Sequence, residues 1–339
     1  MKTRNYIIDF IKVVFAVIIA CGHFGTVIIN NGLIVNLFFV ISGYFIVKSA
    51  NSNKYSSTWN YTFSRLKRIY PYYLFAFVIM LISNCIQYGQ GIYDTAMTAM
   101  KSLPEIFLLQ NVGIYAGGIN YPLWFLCDCI IASHIMFTLL KWNKQVTKNV
   151  ISPLVALAGI TYMIHSGVDI WGIGNDFIAM PLLRAFTYLA LGIAVYDPVN
   201  KVVQKICAFT NRKCMDLVML VYGIICVVLC YVNRNDYNIS LITFILLFIF
   251  CLYPSGIVYK ICQLKVFKYC EKMSLAIFLN HAMIISWLRY RGIENSTEIL
   301  VIYIIGLFVY CAFMLKIVDY ITIFIRKVSN KYLRCQKQE

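Results

Sequence analysis

Residues 6–29 read YIIDFIKVVFAVIIACGHFGTVII, an apolar run long enough to cross a bilayer that nevertheless holds Asp9, Lys12 and His23. About 20 apolar residues span a hydrocarbon core of roughly 30 Å, and an ionisable group inside such a span costs about 2.5–3.5 kcal/mol on insertion scales. Lys12 and His23 lie eleven residues apart, a separation that returns to within about 20° of the same helix face over a rise of roughly 16 Å. They define one polar stripe, with Lys12 near one mouth and His23 well up the helix. Asp9 precedes Lys12 by three residues, the spacing of a pairing neighbour. The run is too long for a signal peptide, keeps its ionisable residues and shows no clear small-residue cleavage site, so it reads as a retained first helix.

Nine further runs follow, at about 33–50, 69–87, 121–140, 150–165, 177–196, 215–232, 239–259, 274–288 and 299–324. The chain of 339 residues is 61% hydrophobic and 13% charged, outside the range of soluble domains and inside that of multi-span membrane proteins. The expected fold is all-α, with ten transmembrane helices in a single domain over 1–325 and a short basic tail over 326–339.

The net charge of +16 is distributed as topology demands and not as a nucleic-acid surface. With the N-terminus cytoplasmic, 23 of the 30 basic residues fall inside, four outside and three within spans. Both termini are therefore expected in the cytoplasm. The inner set includes Lys2, Arg4, Lys67, Arg326 and Lys337. The 13 cysteines show no zinc or redox spacing, and no metal is expected.

A few polar residues at membrane depth need explaining. His23 is the most readily used as a general base; Lys12 has the bland alternative of a snorkelling anchor. Ser42-Gly43-Tyr44 follows an apolar run, where the glycine permits close helix approach and the flanking hydroxyls are placed to hold a substrate oxygen. Arg65 and Arg68 precede the third span as neighbours on one face, beside a helix N-terminus suited to a phosphorylated ligand, although inside-positive residues need no further role. Pro71 is expected in the first turn of that span. The external loop 88–120 exceeds ordinary connections, so an amphipathic or re-entrant element is expected around 92–109. Tyr115, Tyr121 and Trp124 are interfacial anchors or sugar-stacking rings. Asp128, one turn past Trp124, is a candidate for the acceptor pocket, as are Arg184 and His281, with helix packing the rival role for His281 and the favoured one for His134.

Taken in order, Lys12 with His23, Ser42-Gly43-Tyr44 and Arg65 with Arg68 resemble the membrane acyltransferase-3 family, the multi-span O-acyltransferases of bacterial surface glycans. Pro122-Leu-Trp124 and the stretch from Ser274 to His281 are weaker echoes. Lys12 stands where arginine is common in the family. The resemblance implies a bacterial plasma-membrane enzyme that uses acetyl-CoA or another short acyl-CoA. Its phosphates would sit on Arg65 and Arg68, and a glycan or lipid-linked sugar would be the acceptor. His23 would be general base or transient acyl carrier, with Lys12, Ser42 and Tyr44 assisting; Arg184, Tyr44 and His281 remain open as oxyanion stabilisers. Lipids and other polysaccharide-synthesis proteins are the expected partners, with no nucleic acid. The rival readings are a glycan or lipid-linked-sugar flippase, which would predict internal repeats that are not evident, and a structural component that would leave His23 dispensable.

Overall fold

The computed structural model describes residues 5–52, 54–113, 118–165, 173–174, 178–233 and 237–335; Lys2, Arg4, Tyr115 and Lys337 lie outside them. In chain order the helices are α1 (Ile7–Phe24), α2 (Asn31–Asn51), α3 (Thr58–Gln87), α4 (Ile92–Lys101), α5 (Leu103–Ile106), α6 (Trp124–Trp142), α7 (Lys144–Val146), α8 (Ser152–His165), α9 (Met180–Ala194), α10 (Tyr196–Cys207), α11 (Arg212–Val232), α12 (Tyr237–Leu252), α13 (Gly256–Cys262), α14 (Cys270–Tyr290) and α15 (Thr297–Cys335). A two-residue antiparallel pairing of Ile173–Gly174 with Ile178–Ala179 is the strand content of the described residues.

Among the described residues, seven helical segments are long and apolar enough to cross a membrane. The number rises to nine if α9 with α10, bent by 40°, and α12 with α13, bent by 73°, each form one span. The expectation of ten is therefore not met by length and composition. The ninth expected span is a helix, α14, but a more polar one. It packs against α1, α3 and α15, and a helix screened from lipid by its neighbours has less need of an apolar surface. By contrast α11 turns Leu217, Val221, Ile224 and Val228 outward, as a lipid-facing helix should.

Local sequence sets the boundaries. The Asn5 side chain accepts the Ile7 N–H at 3.0 Å, and α1 ends where Gly25 adopts φ 120° and returns its N–H to Cys21 and Gly22. Such a left-handed cap suits glycine. The first span thus stops five residues before the expected 29, and His23 sits in its last turn. α3 starts at Thr58, where Ser57 Oγ accepts the Asn60 N–H at 3.2 Å, well before the expected 69. Pro71 consequently lies inside α3 and not in its first turn, and Arg65 and Arg68 are removed from the helix N-terminus. The loop element anticipated at 92–109 exists as α4 and α5.

The core joins α1, α2, α6, α9 and α14. α2 and α9 cross closely within it, where a Cβ on Gly43 would lie 2.0 Å from the Leu189 carbonyl oxygen and one on Gly192 would lie 2.0 Å from that of Val40. Gly43 therefore serves close helix approach. Overpacking of this kind costs about 1–3 kcal/mol. Gly43→Ala is expected to lower the thermal unfolding midpoint in detergent, whereas Gly306→Ala, with nothing within 4 Å of the added carbon, leaves it unchanged or slightly higher; equal midpoints for the two variants would remove Gly43 from this role.

Candidate active site

His23 and His281 stack face to face, their ring centroids 5.2 Å apart and their planes within 24°. The α1–α14 packing brings them together across most of the sequence. Tyr121 stands edge-on to His23 at 5.3 Å. These rings line a cavity of about 280 Å³, completed by Asn31, Asn111, Trp124 and apolar side chains.

His281 is fully buried, and its Nδ1 lies 2.8 Å from the Phe278 carbonyl oxygen and 3.2 Å from that of Ile277. Carbonyls only accept, so Nδ1 carries the proton and Nε2 is left as an acceptor. Nε2 has no hydrogen-bond partner among the described residues. One imidazole nitrogen is thus fixed by its own helix, and the other remains available to a ligand.

The wall opposite α14 depends on α5. Glu105 is fully buried, and its carboxylate accepts the Ile119 N–H at 2.9 Å and the Asn120 N–H at 3.0 Å. Burial pushes this carboxyl above the usual carboxylate range, while the two backbone N–H groups pull the other way. The Asn120 side chain donates to the Leu279 carbonyl at 2.9 Å, tying the segment before Tyr121 to α14 beside His281. Arg289 Nη2 donates to the His23 carbonyl at 3.0 Å and closes the end of α1.

Four expected site residues gather here: His23 and His281 directly, Trp124 as cavity wall and Arg184 behind it. Arg184 is wholly buried, donates from Nε to Asn36 Oδ1 at 2.6 Å and from Nη2 to the Gly32 carbonyl, and lies 5.7 Å from the Trp124 ring centroid. It is not among the cavity-lining residues; through Trp124 it steadies the wall.

The other expected residues collect towards the Lys12 end of α1. Lys12 lies 4.0 Å from Asp9 and over the Phe45 ring at 5.6 Å, the pairing anticipated from their spacing. Arg65 Nη1 donates to the Tyr61 hydroxyl at 2.8 Å and to Ser133 Oγ at 2.7 Å, and Nη2 to Cys129 Sγ at 3.6 Å. The Cys129 thiol in turn donates to Ser42 Oγ at 3.7 Å. Arg68 turns instead to Glu271, 3.1 Å away, so the two arginines do not converge as expected of neighbours on one face. The Tyr44 hydroxyl donates to Asn200 Oδ1 at 2.9 Å, which ties α2 to α10 away from the cavity. Asp128 is fully buried, and neither carboxyl oxygen has a hydrogen-bond partner among the described residues. It lies one turn from Trp124 towards Cys129 and Ser133 on α6, between the two ends and not among the cavity-lining residues. His134 receives the packing role expected of it, with Nδ1 2.9 Å from Thr62 Oγ1.

A family model described as an acyltransferase domain matches residues 5–321, nearly the whole chain. The chain belongs to the membrane acyltransferase-3 family. Membership carries acyltransferase activity and agrees with the multi-pass architecture. Neither a curated protein nor a solved structure matches the chain.

Asn31, Glu105, Asn111 and Arg289 were not singled out in the sequence. Asn31 had one visible signal: its side chain occupies the space that a Cβ on Gly22 would fill, 2.3 Å from Asn31 Oδ1, so the glycine before His23 marks an intruding partner. Glu105→Ala leaves two backbone N–H groups without their acceptor, each costing about 1–3 kcal/mol when buried. Amide exchange across residues 118–123 should accelerate in this variant, and less so in Glu105→Gln. Unchanged exchange in Glu105→Ala would show that the wall stands without the carboxylate.

Proposed function

We propose that this acyltransferase moves a short acyl group, acetyl foremost, from cytoplasmic acyl-CoA to a hydroxyl of a surface polysaccharide or lipid-linked sugar. The observation that carries the reading is the stacked histidine pair, with the open Nε2 of His281, on the wall of a cavity of about 280 Å³. That volume falls just below the range of ordinary ligand sites, roughly 300–1,000 Å³, and favours acetyl over long chains. The distribution of basic residues supports cytoplasmic termini, a cytoplasmic Lys12 end and a cavity towards the outer face of a bacterial plasma membrane.

His23 acts as general base. The acceptor hydroxyl gives its proton to the imidazole as its oxygen bonds to the thioester carbonyl carbon; the C–S bond then breaks and the proton passes to the departing thiolate. His281 Nε2 accepts a hydrogen bond from the acceptor sugar and orients it. The Tyr121 hydroxyl is the cavity's donor for the developing oxyanion, in place of Arg184 or Tyr44; the Asn31 amide N–H is given to the Ile19 carbonyl at 3.2 Å, and its open Oδ1 accepts from the acceptor sugar. At the other end Arg65, held by Tyr61 and Ser133, and the exposed Arg68 receive the donor's phosphates, the latter by exchanging Glu271 for phosphate. Lys12 and Ser42 flank the donor's entry, and Tyr44 positions α10. Asp128 accepts from the amide groups of the pantetheine arm, which must pass this level of α6 to reach the cavity.

The test uses purified protein, radiolabelled acetyl-CoA and extracted cell-envelope glycan. His23→Ala should lower transfer about 10²–10⁴-fold, the range for loss of a general base. Arg68→Ala should raise the KM for acetyl-CoA about tenfold, the equivalent of roughly 1.4 kcal/mol, with kcat little changed. Transfer that survives His23→Ala, or no label on glycan from any short acyl-CoA, would defeat the proposal.

A further inference from the structure

A second concavity, of about 1210 Å³, lies between α3, α15 and the turn that follows α5. Its surface is apolar for most of its length, contributed by Leu74, Val78, Phe107, Val318 and Ile321 among others, and Lys67 and Arg326 are its two cations. The helix directions fix where those cations lie. Arg68 meets Glu271 at 3.1 Å and Gln87 accepts from Ser286 at 2.8 Å, so α3 and α14 run parallel. Lys272 meets Asp319 at 2.7 Å and Tyr303 donates to the His281 carbonyl at 3.3 Å, so α14 and α15 run antiparallel. α3 and α15 are therefore antiparallel, with the Tyr72 hydroxyl donating to Asp319 where they touch.

Lys67 precedes Tyr72 by five residues and Arg326 follows Asp319 by seven. Both cations consequently sit on one side of that contact, roughly 7–11 Å along the axes, at the end of the bundle that carries Arg65. Their neighbours are neutralised, Arg68 by Glu271 and Lys272 by Asp319, whereas neither Lys67 nor Arg326 has a carboxylate partner among the described residues. The groove is thus long and apolar, is set in a membrane-spanning bundle, and ends in two exposed, unneutralised cations.

We propose that this groove is a binding site for an anionic glycerophospholipid, with an acyl chain along α3 and α15 and the headgroup phosphate between Lys67 and Arg326. A zwitterionic lipid fills the apolar part equally well but brings no net charge to the cations, and basic clusters at helix ends select anionic headgroups for that reason. The occupant also touches the active-site scaffold from behind. Ile106, Phe107 and Leu108 line the groove directly after Glu105, whose carboxylate holds the Ile119–Asn120 wall of the histidine cavity. A lipid in place braces that short turn against α3, where the Tyr70 hydroxyl already donates to the Ile106 carbonyl at 3.2 Å. The assignment is independent of the acyl-transfer proposal.

The experiment titrates the purified, delipidated full-length chain in nonionic detergent with phosphatidylglycerol or phosphatidylcholine and reads bound lipid by native mass spectrometry. Wild type should retain phosphatidylglycerol about 25-fold more tightly, the product of roughly fivefold for each of two cations. In the Lys67→Ala, Arg326→Ala double variant the two lipids should bind alike, with phosphatidylcholine unchanged; Val78→Trp, which fills the groove, should weaken both. Lys67 and Arg326 are exposed, so loss of the fold is not expected, and a thermal melt checks it. No preference in wild type, or a preference that survives the double variant, overturns the site. Inorganic phosphate or coenzyme A displacing the lipid at equal concentration would also overturn it, because the cations would then form a free-anion or donor site.

Discussion

His281 gives one ring nitrogen to its own helix, and most of the site follows from that bond. With Nδ1 donating to Phe278 and Ile277, the ring cannot turn over without abandoning a buried hydrogen bond, and Nε2 stays an acceptor. The α1–α14 seam then presents this fixed imidazole to His23, whose backbone is held at the same level by Arg289 and by the Gly25 cap. The Ile119 and Asn120 N–H groups, donating to the Glu105 carboxylate on α5, and the Asn120 side-chain link to Leu279 build the opposite wall. Buried polar groups in a bilayer must find partners inside the protein. Here the partners are mostly backbone groups, which leaves side-chain chemistry free on the cavity face.

The protein separates this cavity from a polar cluster at the other end by aromatic packing. Phe15 on α1, Phe38 on α2, Phe125 on α6 and Phe278 on α14 lie between the two ends in sequence, and their rings meet in succession: Phe15 with Phe38 at 6.4 Å, Phe38 with Phe125 at 6.0 Å and Phe125 with Phe278 at 5.3 Å. On the proposed donor route, a thioester carried from the Arg65 end would pass this layer. Asp128, with neither oxygen hydrogen-bonded among the described residues, lies one turn from Phe125 on α6, a buried polar group of the kind that calls for a water, an ion or a ligand as partner.

Much of the arrangement was legible in the sequence because membrane depth makes polar residues conspicuous. The pairing of Asp9 with Lys12, the close approach at Gly43, an ordered element around 92–109 and the membership of the acyltransferase-3 family all followed from spacing and from ordered motifs. What escaped the sequence depended on tertiary geometry. The ninth expected span, α14, is too polar to count by composition because neighbours screen it from lipid, and α3 extends back to Thr58 because a serine cap and amphipathic residues continue it past the apolar run. The divergence of Arg65 and Arg68 arises from Ser133 on one side and Glu271 on the other, partners that i,i+3 spacing does not reveal. Glu105 and Asn31 look like ordinary loop and cap residues until the fold brings Ile119 and Gly22 against them.

The most direct test of the central claim, that acyl transfer occurs at the stacked histidines, is a density map of the full-length protein with a non-transferable thioether analogue of acetyl-CoA. The account predicts phosphates beside Arg65 and Arg68, the pantetheine arm passing Asp128, and the acyl end in the cavity within reach of His23 and His281. An acyl end that stops at the Arg65–Cys129 cluster, or that occupies any other site while the histidine cavity stays closed, would contradict it.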